Sequence, residues 1–151
     1  GDIKSVYAKS ITALANIETE DTAVVVLKFT NGALGIIEAT TATRPKNIEG
    51  SISILGEKGT VVIGGIAVDK VETWKFVDQI EEENKIRKDY SSEVSHVYGI
   101  GHKKYYDHVI DALMNKSNYM IDGHEGRKSI KLINAIYESV RNNKEIIFDN
   151  K

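Results

Sequence analysis

Residues 20–65, EDTAVVVLKFTNGALGIIEATTATRPKNIEGSISILGEKGTVVIGG, decide the fold of this chain. The apolar run at 23–29 is rich in Val and Leu, which suit a packed and pleated strand. Asn31-Gly32 follows, and residues 33–41 form a second extended run. Both turn residues tolerate a positive φ, so this pattern predicts a β-hairpin.

A second hairpin is predicted directly after the first. Residues 51–55 and 60–63 are two further extended runs, and Gly56-Glu57-Lys58-Gly59 separates them. The segment 42–50 joins the two hairpins and contains Arg44 and the only proline of the chain, Pro45. We therefore interpret this segment as a loop and as the first candidate for a ligand site.

Outside this stretch, the alternation of residues 4–17 predicts a long first strand, and residues 67–77 predict another. The charged segment 78–94 is interpreted as a surface loop, since it shows little apolar periodicity. A short apolar segment at 146–148 is predicted to add a last extended piece. The sheet then has about six strands, and short connections make it mostly antiparallel.

Two amphipathic helices are predicted in the last third of the chain. The second follows Asp122, which is expected to cap it, with Glu125 in the first turn. Each helix shows an apolar stripe that we expect to be buried: Tyr106, Val109, Ile110, Leu113 and Met114 in the first, and Ile130, Ile133, Ile136 or Tyr137, and Val140 in the second. Strands followed by helices predict an α+β fold, an open sheet with helices on one face.

Composition narrows the class of protein. A length of 151 residues is typical of one domain, and we expect a single domain over 1–151. Lys and Arg total 20 against 22 Asp and Glu, a net charge of −2 that argues against a general nucleic-acid binder. There is no cysteine, which fits a cytoplasmic location, and no apolar run is long enough to span a membrane.

Several kinds of catalytic site lack their motifs. The four histidines form no HExxH pattern and have no cysteine to assist them, so no metal ligands are assigned. No G-x-S-x-G occurs for a nucleophilic serine. Gly99-Ile100-Gly101 precedes a helix but lacks the third glycine of a dinucleotide fingerprint, so it is interpreted as a loop that lets the backbone turn close to a ligand.

A basic, aromatic and polar set remains as the candidate binding site. Arginine offers a planar fork for carboxylate or phosphate, and Tyr and His combine stacking with hydrogen bonding. The alternative for each residue alone is a solvated surface or core position. The candidate substrate-binding residues are Arg44, Lys46, Asn47, Tyr98, His102 and Tyr105, with His96, Lys103 and Tyr106 in the wider set.

The order of these motifs resembles a known family. The two hairpins, the run GEKGT at 56–60 and the motif DGHEGRKS at 122–129 are similar to the C-terminal domain of the Gfo/Idh/MocA oxidoreductases. TRPKN at 43–47 and YGIGHKKYY at 98–106 look closest to its nucleotide-sugar branch, acting on UDP-N-acetylglucosamine-type substrates.

The resemblance implies a substrate-binding and assembly domain that pairs with an N-terminal Rossmann domain binding NAD or NADP. In this family the open sheet face commonly builds the oligomer. The family's glycine fingerprint, catalytic lysine and catalytic histidine belong to segments absent from this chain. The resemblance therefore assigns no catalytic and no cofactor-binding residue here, and implies that the chain alone is inactive. The alternative is a stand-alone, non-catalytic domain that self-associates.

Overall fold

The computed structural model describes residues 1–78, 82–92, 94, 98–115 and 121–148. Its elements are α+β, with three helices and two antiparallel sheets, so the predicted fold class is confirmed. Seven strands divide into sheets of four and three instead of forming one sheet of about six. The chain forms two compact units, Gly1–Arg44 with Met120–Lys151, and Pro45–Tyr119.

The first unit is built on a four-stranded sheet of order β3-β2-β1-β7. Every described pairing in it is antiparallel. The strands are β1 (Ile3–Ile11), β2 (Thr22–Phe29), β3 (Leu34–Thr40) and β7 (Ile146–Ile147).

The predicted hairpin between β2 and β3 is confirmed. Gly32 has a φ of 89°, the left-handed region that glycine adopts without steric cost. The Asn31 Oδ1 accepts a hydrogen bond of 3.1 Å from the Ala33 amide, so the asparagine closes the turn with its own side chain.

Strand β1 ends at Ile11, six residues earlier than predicted, because the next segment curls around a carboxylate. The Asp21 Oδ2 accepts hydrogen bonds from the amides of Ala13, Leu14 and Ala15, at 2.9, 2.6 and 2.8 Å. The hydrogen bonds from Ala15 and Leu14 contribute most to lowering the pKa of Asp21 to about 2. A charged acceptor therefore replaces strand pairing here.

Helix α3 (Gly123–Asn142) lies on one face of this sheet. The predicted cap is confirmed, because the Asp122 Oδ1 accepts hydrogen bonds from the amides of His124 and Glu125 at 2.9 and 3.1 Å. The helix ends where Asn143 takes a φ of 50°.

The core of the first unit lies between α3 and β1–β2, formed by Val6, Ala8, Val25, Leu27 and Ala135. Helix α3 presents Ala135 and Ser139 to it, whereas the predicted residues Ile130 and Ile133 are exposed. The prediction was right for Ile136 and Val140, which pack against the core, and wrong for Ile130 and Ile133, because the apolar residues of this helix extend beyond the face that the sheet covers.

Ser139 completes the hydrogen bonding of the sheet. Strand β7 pairs only with Ser5 and Val6, so it does not reach Ala8. The Ser139 hydroxyl accepts a 3.0 Å hydrogen bond from the Ala8 amide and donates one of 2.6 Å to the Lys144 carbonyl. A buried polar side chain therefore satisfies two backbone groups at once.

The second unit holds a three-stranded antiparallel sheet of order β4-β5-β6. The predicted second hairpin is confirmed as β4–β5, while β6 begins three residues later than predicted. The elements are β4 (Ile52–Gly56), β5 (Gly59–Gly64), β6 (Lys70–Phe76), α1 (Glu83–Tyr90) and α2 (Gly101–Asn115).

Both helices of the second unit differ from expectation. Helix α1 lies within the predicted surface loop and packs against β6 through a single buried residue, Ile86, too little for a periodic signal. Helix α2 lies where it was predicted, but Ala112 is its buried residue. The stripe expected to be buried is largely exposed, at Tyr106, Ile110, Leu113 and Met114.

Candidate ligand pocket

The second unit contains a pocket with a volume of about 420 Å³. Three segments line it: residues 67–69 between β5 and β6, residues 89–92 at the end of α1, and residues 98–101 with Lys104 at the start of α2. Its size is that of a small-molecule site.

The first wall is a strained turn. Val68 has a φ of 57°, which is unusual for a β-branched residue and costs about 1–3 kcal/mol. Asp69 holds the turn closed, because its amide donates to the Gly64 carbonyl at 2.9 Å and its Oδ1 accepts from the Ala67 amide at 3.2 Å. Backbone strain of this kind is concentrated at functional sites.

Only one of the two carboxylate oxygens of Asp69 accepts a hydrogen bond from the described residues. The Asp69 Oδ2 is buried and has no hydrogen-bond donor in the described part of the chain. A buried acceptor without a partner costs free energy, which makes it a feature that calls for an explanation.

The second wall of the pocket, residues 89–92, is hydrogen-bonded to the first. The Ser92 amide donates to the Asp69 carbonyl at 2.8 Å, and the Val71 amide donates to the Ser91 Oγ at 3.0 Å.

The third wall is the loop that leads into α2. Gly99 has a φ of 60°, and a Cβ there would lie 3.3 Å from that of Ala67, so glycine lets this loop approach the first wall. Helix α2 then begins at Gly101, and Lys104 lies in its first turn. The free backbone amides at the N-terminus of this 15-residue helix and the ammonium of Lys104 both favour a bound anion.

The pocket therefore combines three kinds of recognition. Lys104 and the start of α2 attract negative charge, the carboxylates of Asp69 and Asp89 suit hydroxyl or amide donors, and the rings of Tyr90 and Tyr98 offer stacking faces. Such a lining suits a ligand with phosphate, sugar and planar parts.

The structure places one predicted binding residue in this pocket. Tyr98, 75% exposed, lines it. His102 and Tyr105 lie on α2 beside the lining positions, and the Tyr105 ring contacts that of Tyr106 edge to face, with centroids 6.1 Å apart. Lys46 and Asn47 are exposed and lie outside the pocket wall.

Arg44 belongs to the first unit, where its guanidinium donates to the Thr43 carbonyl at 3.0 Å. The assignment of all six residues to substrate binding stays a prediction. His96, from the wider set, lies outside the described residues.

Sequence reasoning missed Asp69 and Lys104. Asp69 could have been found from the Gly64-Gly65 turn that it closes, and Lys104 from its place one turn into a helix that begins with glycine.

The described residues provide neither a metal-binding cluster nor a membrane-spanning helix. They hold no group of three or more His, Cys, Asp or Glu side chains placed to bind a metal ion. None of the helices in these ranges combines the length and apolar character that crossing a bilayer requires.

The described residues do not form a dinucleotide site of the Rossmann type. Such a site needs parallel strands joined through a glycine-rich turn and a helix, and every strand pair described here is antiparallel. Among the described elements, the one that precedes Gly99 and Gly101 is helix α1 and not a strand.

The fold agrees with a family assignment. Residues 3–147 match the model of the oxidoreductase family (Gfo/Idh/MocA), C-terminal alpha/beta domain. The chain belongs to this family, so the resemblance seen in the sequence is confirmed. Among curated proteins, none gives a significant sequence match.

Solved structures agree with the nucleotide-sugar branch. The WlbA dehydrogenase from Bordetella pertussis, in complex with NADH and UDP-GlcNAcA, is 42% identical, with a TM-score of 0.89 over 100% of this chain and 43% of that chain. The WlbA dehydrogenase from Chromobacterium violaceum, with the same two ligands, is 40% identical, with a TM-score of 0.84 over 100% and 41%. The chain thus spans less than half the length of either relative. GenD2 from gentamicin A biosynthesis, at 18% identity and a TM-score of 0.74, shows the fold alone.

Proposed function

We propose that this chain is the substrate-binding and assembly domain of an NAD(P)-dependent dehydrogenase that oxidises a CH–OH group of a nucleotide sugar. The observation that carries the proposal is the 42% identity, over the whole chain, to a dehydrogenase solved with NADH and UDP-GlcNAcA. A substrate of the UDP-N-acetylglucosamine type and a cytoplasmic location belong to the same proposal.

The pocket chemistry supports a nucleotide sugar. A pyrophosphate is an anion that Lys104 and the start of α2 would attract, and carboxylates such as Asp89 suit sugar or ribose hydroxyls. Arg44, Lys46, Asn47, His102 and Tyr105 are proposed to contact further parts of the substrate. Tyr98 would stack on a planar group at the pocket mouth.

The role of this chain is then to bind and orient. Hydride transfer needs a bound NAD or NADP and a group that relays the hydroxyl proton, and we assign both to the domain that precedes this one. The chain alone should not oxidise the sugar or bind NADH.

The test uses the full-length protein with UDP-N-acetylglucosamine-type sugars and records the reduction of the nicotinamide. Lys104→Ala and His102→Ala should each raise KM roughly tenfold, the effect of losing about 1.4 kcal/mol of binding. Lys58→Ala and His124→Ala are matched controls at exposed positions outside the pocket wall. Unchanged kinetics in both Lys104→Ala and His102→Ala would refute the substrate assignment.

A stand-alone, self-associating domain is the second candidate, and one surface favours self-association. Tyr7, Val26 and Ile36 are cross-strand neighbours on the sheet face opposite α3, and all three are exposed. Val26→Lys should dissociate the oligomer in sedimentation velocity if this face is the interface. Dehydrogenase activity of the full-length protein would decide against the stand-alone candidate.

A further inference from the structure

Helix α3 carries an apolar stripe that the described residues of the first unit leave exposed. Ile130, Ile133 and Tyr137 are 58%, 46% and 39% exposed. Their spacings of three and four residues place them on one side of the helix. A different face of α3 packs against the sheet, with the side chains of Leu132, Ala135 and Ser139. The stripe is therefore separate from the buried face.

The same helix has a third face for solvent. Arg127, Lys131, Asn134 and Glu138 repeat at spacings of four and three residues and are all exposed and polar. Two exposed faces of one helix therefore differ completely in chemistry. A surface helix with one buried face is normally polar elsewhere, so the apolar stripe indicates a second contact.

Local geometry keeps this stripe accessible to a large partner. The Tyr137 hydroxyl donates to Glu20 at 2.8 Å, so its polar end is satisfied while its ring stays on the stripe. A Cβ at Gly126, one turn before Ile130, would meet nothing within 4 Å. The stripe thus continues onto open, flat helix surface.

We propose that the stripe of Ile130, Ile133 and Tyr137 is the docking surface for the domain that precedes this one in the intact enzyme. The proposal rests on the proposed function for the existence of that partner. The matching family model describes a C-terminal domain, and this chain covers only 43% of the WlbA chain from Bordetella pertussis. Most of such a polypeptide would therefore be tethered ahead of Gly1.

The position of the first residues favours this occupant. The Lys4 carbonyl accepts a 2.9 Å hydrogen bond from the Phe148 amide, and the Lys131 ammonium lies 5.3 Å from the centre of the Phe148 ring, so the first residues of β1 lie close to the first half of α3. Ala8 meets Ser139 near the other end of the helix, so β1 and α3 run in the same direction. A domain attached through Gly1 would emerge near the first half of the helix that carries the stripe, where tethering gives it a high effective concentration.

A second copy is a poorer occupant. The exposed sheet face with Tyr7, Val26 and Ile36 points away from α3, because α3 covers the other face of the same sheet. Self-association through that face would leave the stripe of the same subunit uncovered.

Site-specific photo-crosslinking in the full-length protein tests the proposal. A benzophenone amino acid replaces Ile133, with Asn134 as the matched control on the polar face, and mass spectrometry identifies the linked peptide. We expect an intramolecular link from Ile133 to a peptide that precedes Gly1, and none from Asn134. A link between two copies, or no link above the control, would overturn the proposal.

Ile130, the most exposed residue of the stripe, is the second position if the first variant does not fold. The readout is independent of substrate and of hydride transfer. An inactive protein that forms the link would contradict only the proposed function, and an active protein without it would contradict only the docking surface.

Discussion

The two units of this chain use their residues differently. In the first, a helix lies on a sheet, five apolar residues form one core cluster, and the buried polar residues Asp21 and Ser139 are hydrogen-bonded. In the second, β4 is exposed along its whole length, and buried apolar residues are single, at Val71, Ile86 and Ala112.

Two unfavourable features lie in the second unit. Val68, a β-branched residue with a positive φ, and the Asp69 Oδ2, which has no hydrogen-bond donor among the described residues, both lie in the pocket wall. We therefore expect the first unit to contribute more to the stability of the chain than the second. This contrast predicts that equal substitutions have unequal effects in the two units.

The largest effect is expected for Leu27→Ala. Leu27 is buried in the core cluster, so the cavity should lower the free energy of unfolding by about 2–5 kcal/mol. Leu55→Ala, at an exposed position of β4, is the matched control and should change stability by less than about 0.5 kcal/mol. Urea unfolding followed by circular dichroism measures both, and comparable losses would contradict the contrast between the units.

Trp74, the only tryptophan, lies in the second unit and reports on it by fluorescence. Because no residue of that unit belongs to the core cluster, the fluorescence transition should move less in Leu27→Ala than the dichroism transition. Equal shifts would show that Leu27 supports both units alike.

The next effect is expected for Asp21→Asn, and it depends on pH. The pKa of Asp21 is lowered to about 2 in the folded chain, so folding favours the carboxylate. Its contribution is complete above about pH 4 and is lost as the pH falls from about 4 to about 2. At pH 7 the urea midpoint of the variant should be lower than that of the unmodified chain. On acidification, the midpoint of the variant should fall by less.

Asp107→Asn is the control for this experiment, since Asp107 is exposed and pairs only with Lys103 across one helical turn. Its acid dependence should match that of the unmodified chain. An equally steep acid dependence in Asp21→Asn would assign the loss to other carboxylates.

Ser139→Ala is expected to have a smaller effect. It leaves the Ala8 amide and the Lys144 carbonyl without their partner, which should cost about 1–3 kcal/mol. Ser129→Ala, at an exposed position of the same helix, should be close to neutral. Thermal unfolding compares the two, and a neutral Ser139→Ala would mean that water replaces the hydroxyl.

The smallest effect is expected for Val68→Gly, with the opposite sign. Glycine accepts the φ of 57° without strain, so stability should rise by up to about 1 kcal/mol. Val62→Gly, within strand β5, should instead lower stability by more than the roughly 0.5–1 kcal/mol that glycine costs relative to alanine, because it also removes a half-buried side chain. A destabilised Val68→Gly would show that its side-chain contacts outweigh the backbone strain.

Local patterns in the sequence predicted the hairpin at Asn31-Gly32 and the cap Asp122, because each depends on residues within one turn of the chain. They did not predict α1, whose burial rests on Ile86 alone. The pocket joins three segments distant in sequence, so Tyr98 was the only one of the six predicted residues found in it.

The sequence by itself determined where the two hairpins turn, where α3 begins, and to which family the chain belongs. Only the tertiary structure decided which stripe of α3 the sheet covers, that Asp21 holds three amides, and that Asp69 and Lys104 line one pocket. The physical reason is how far apart in sequence the interacting residues lie. Turn and cap hydrogen bonds form between near neighbours, whereas burial and electrostatic environment depend on what distant segments bring into contact.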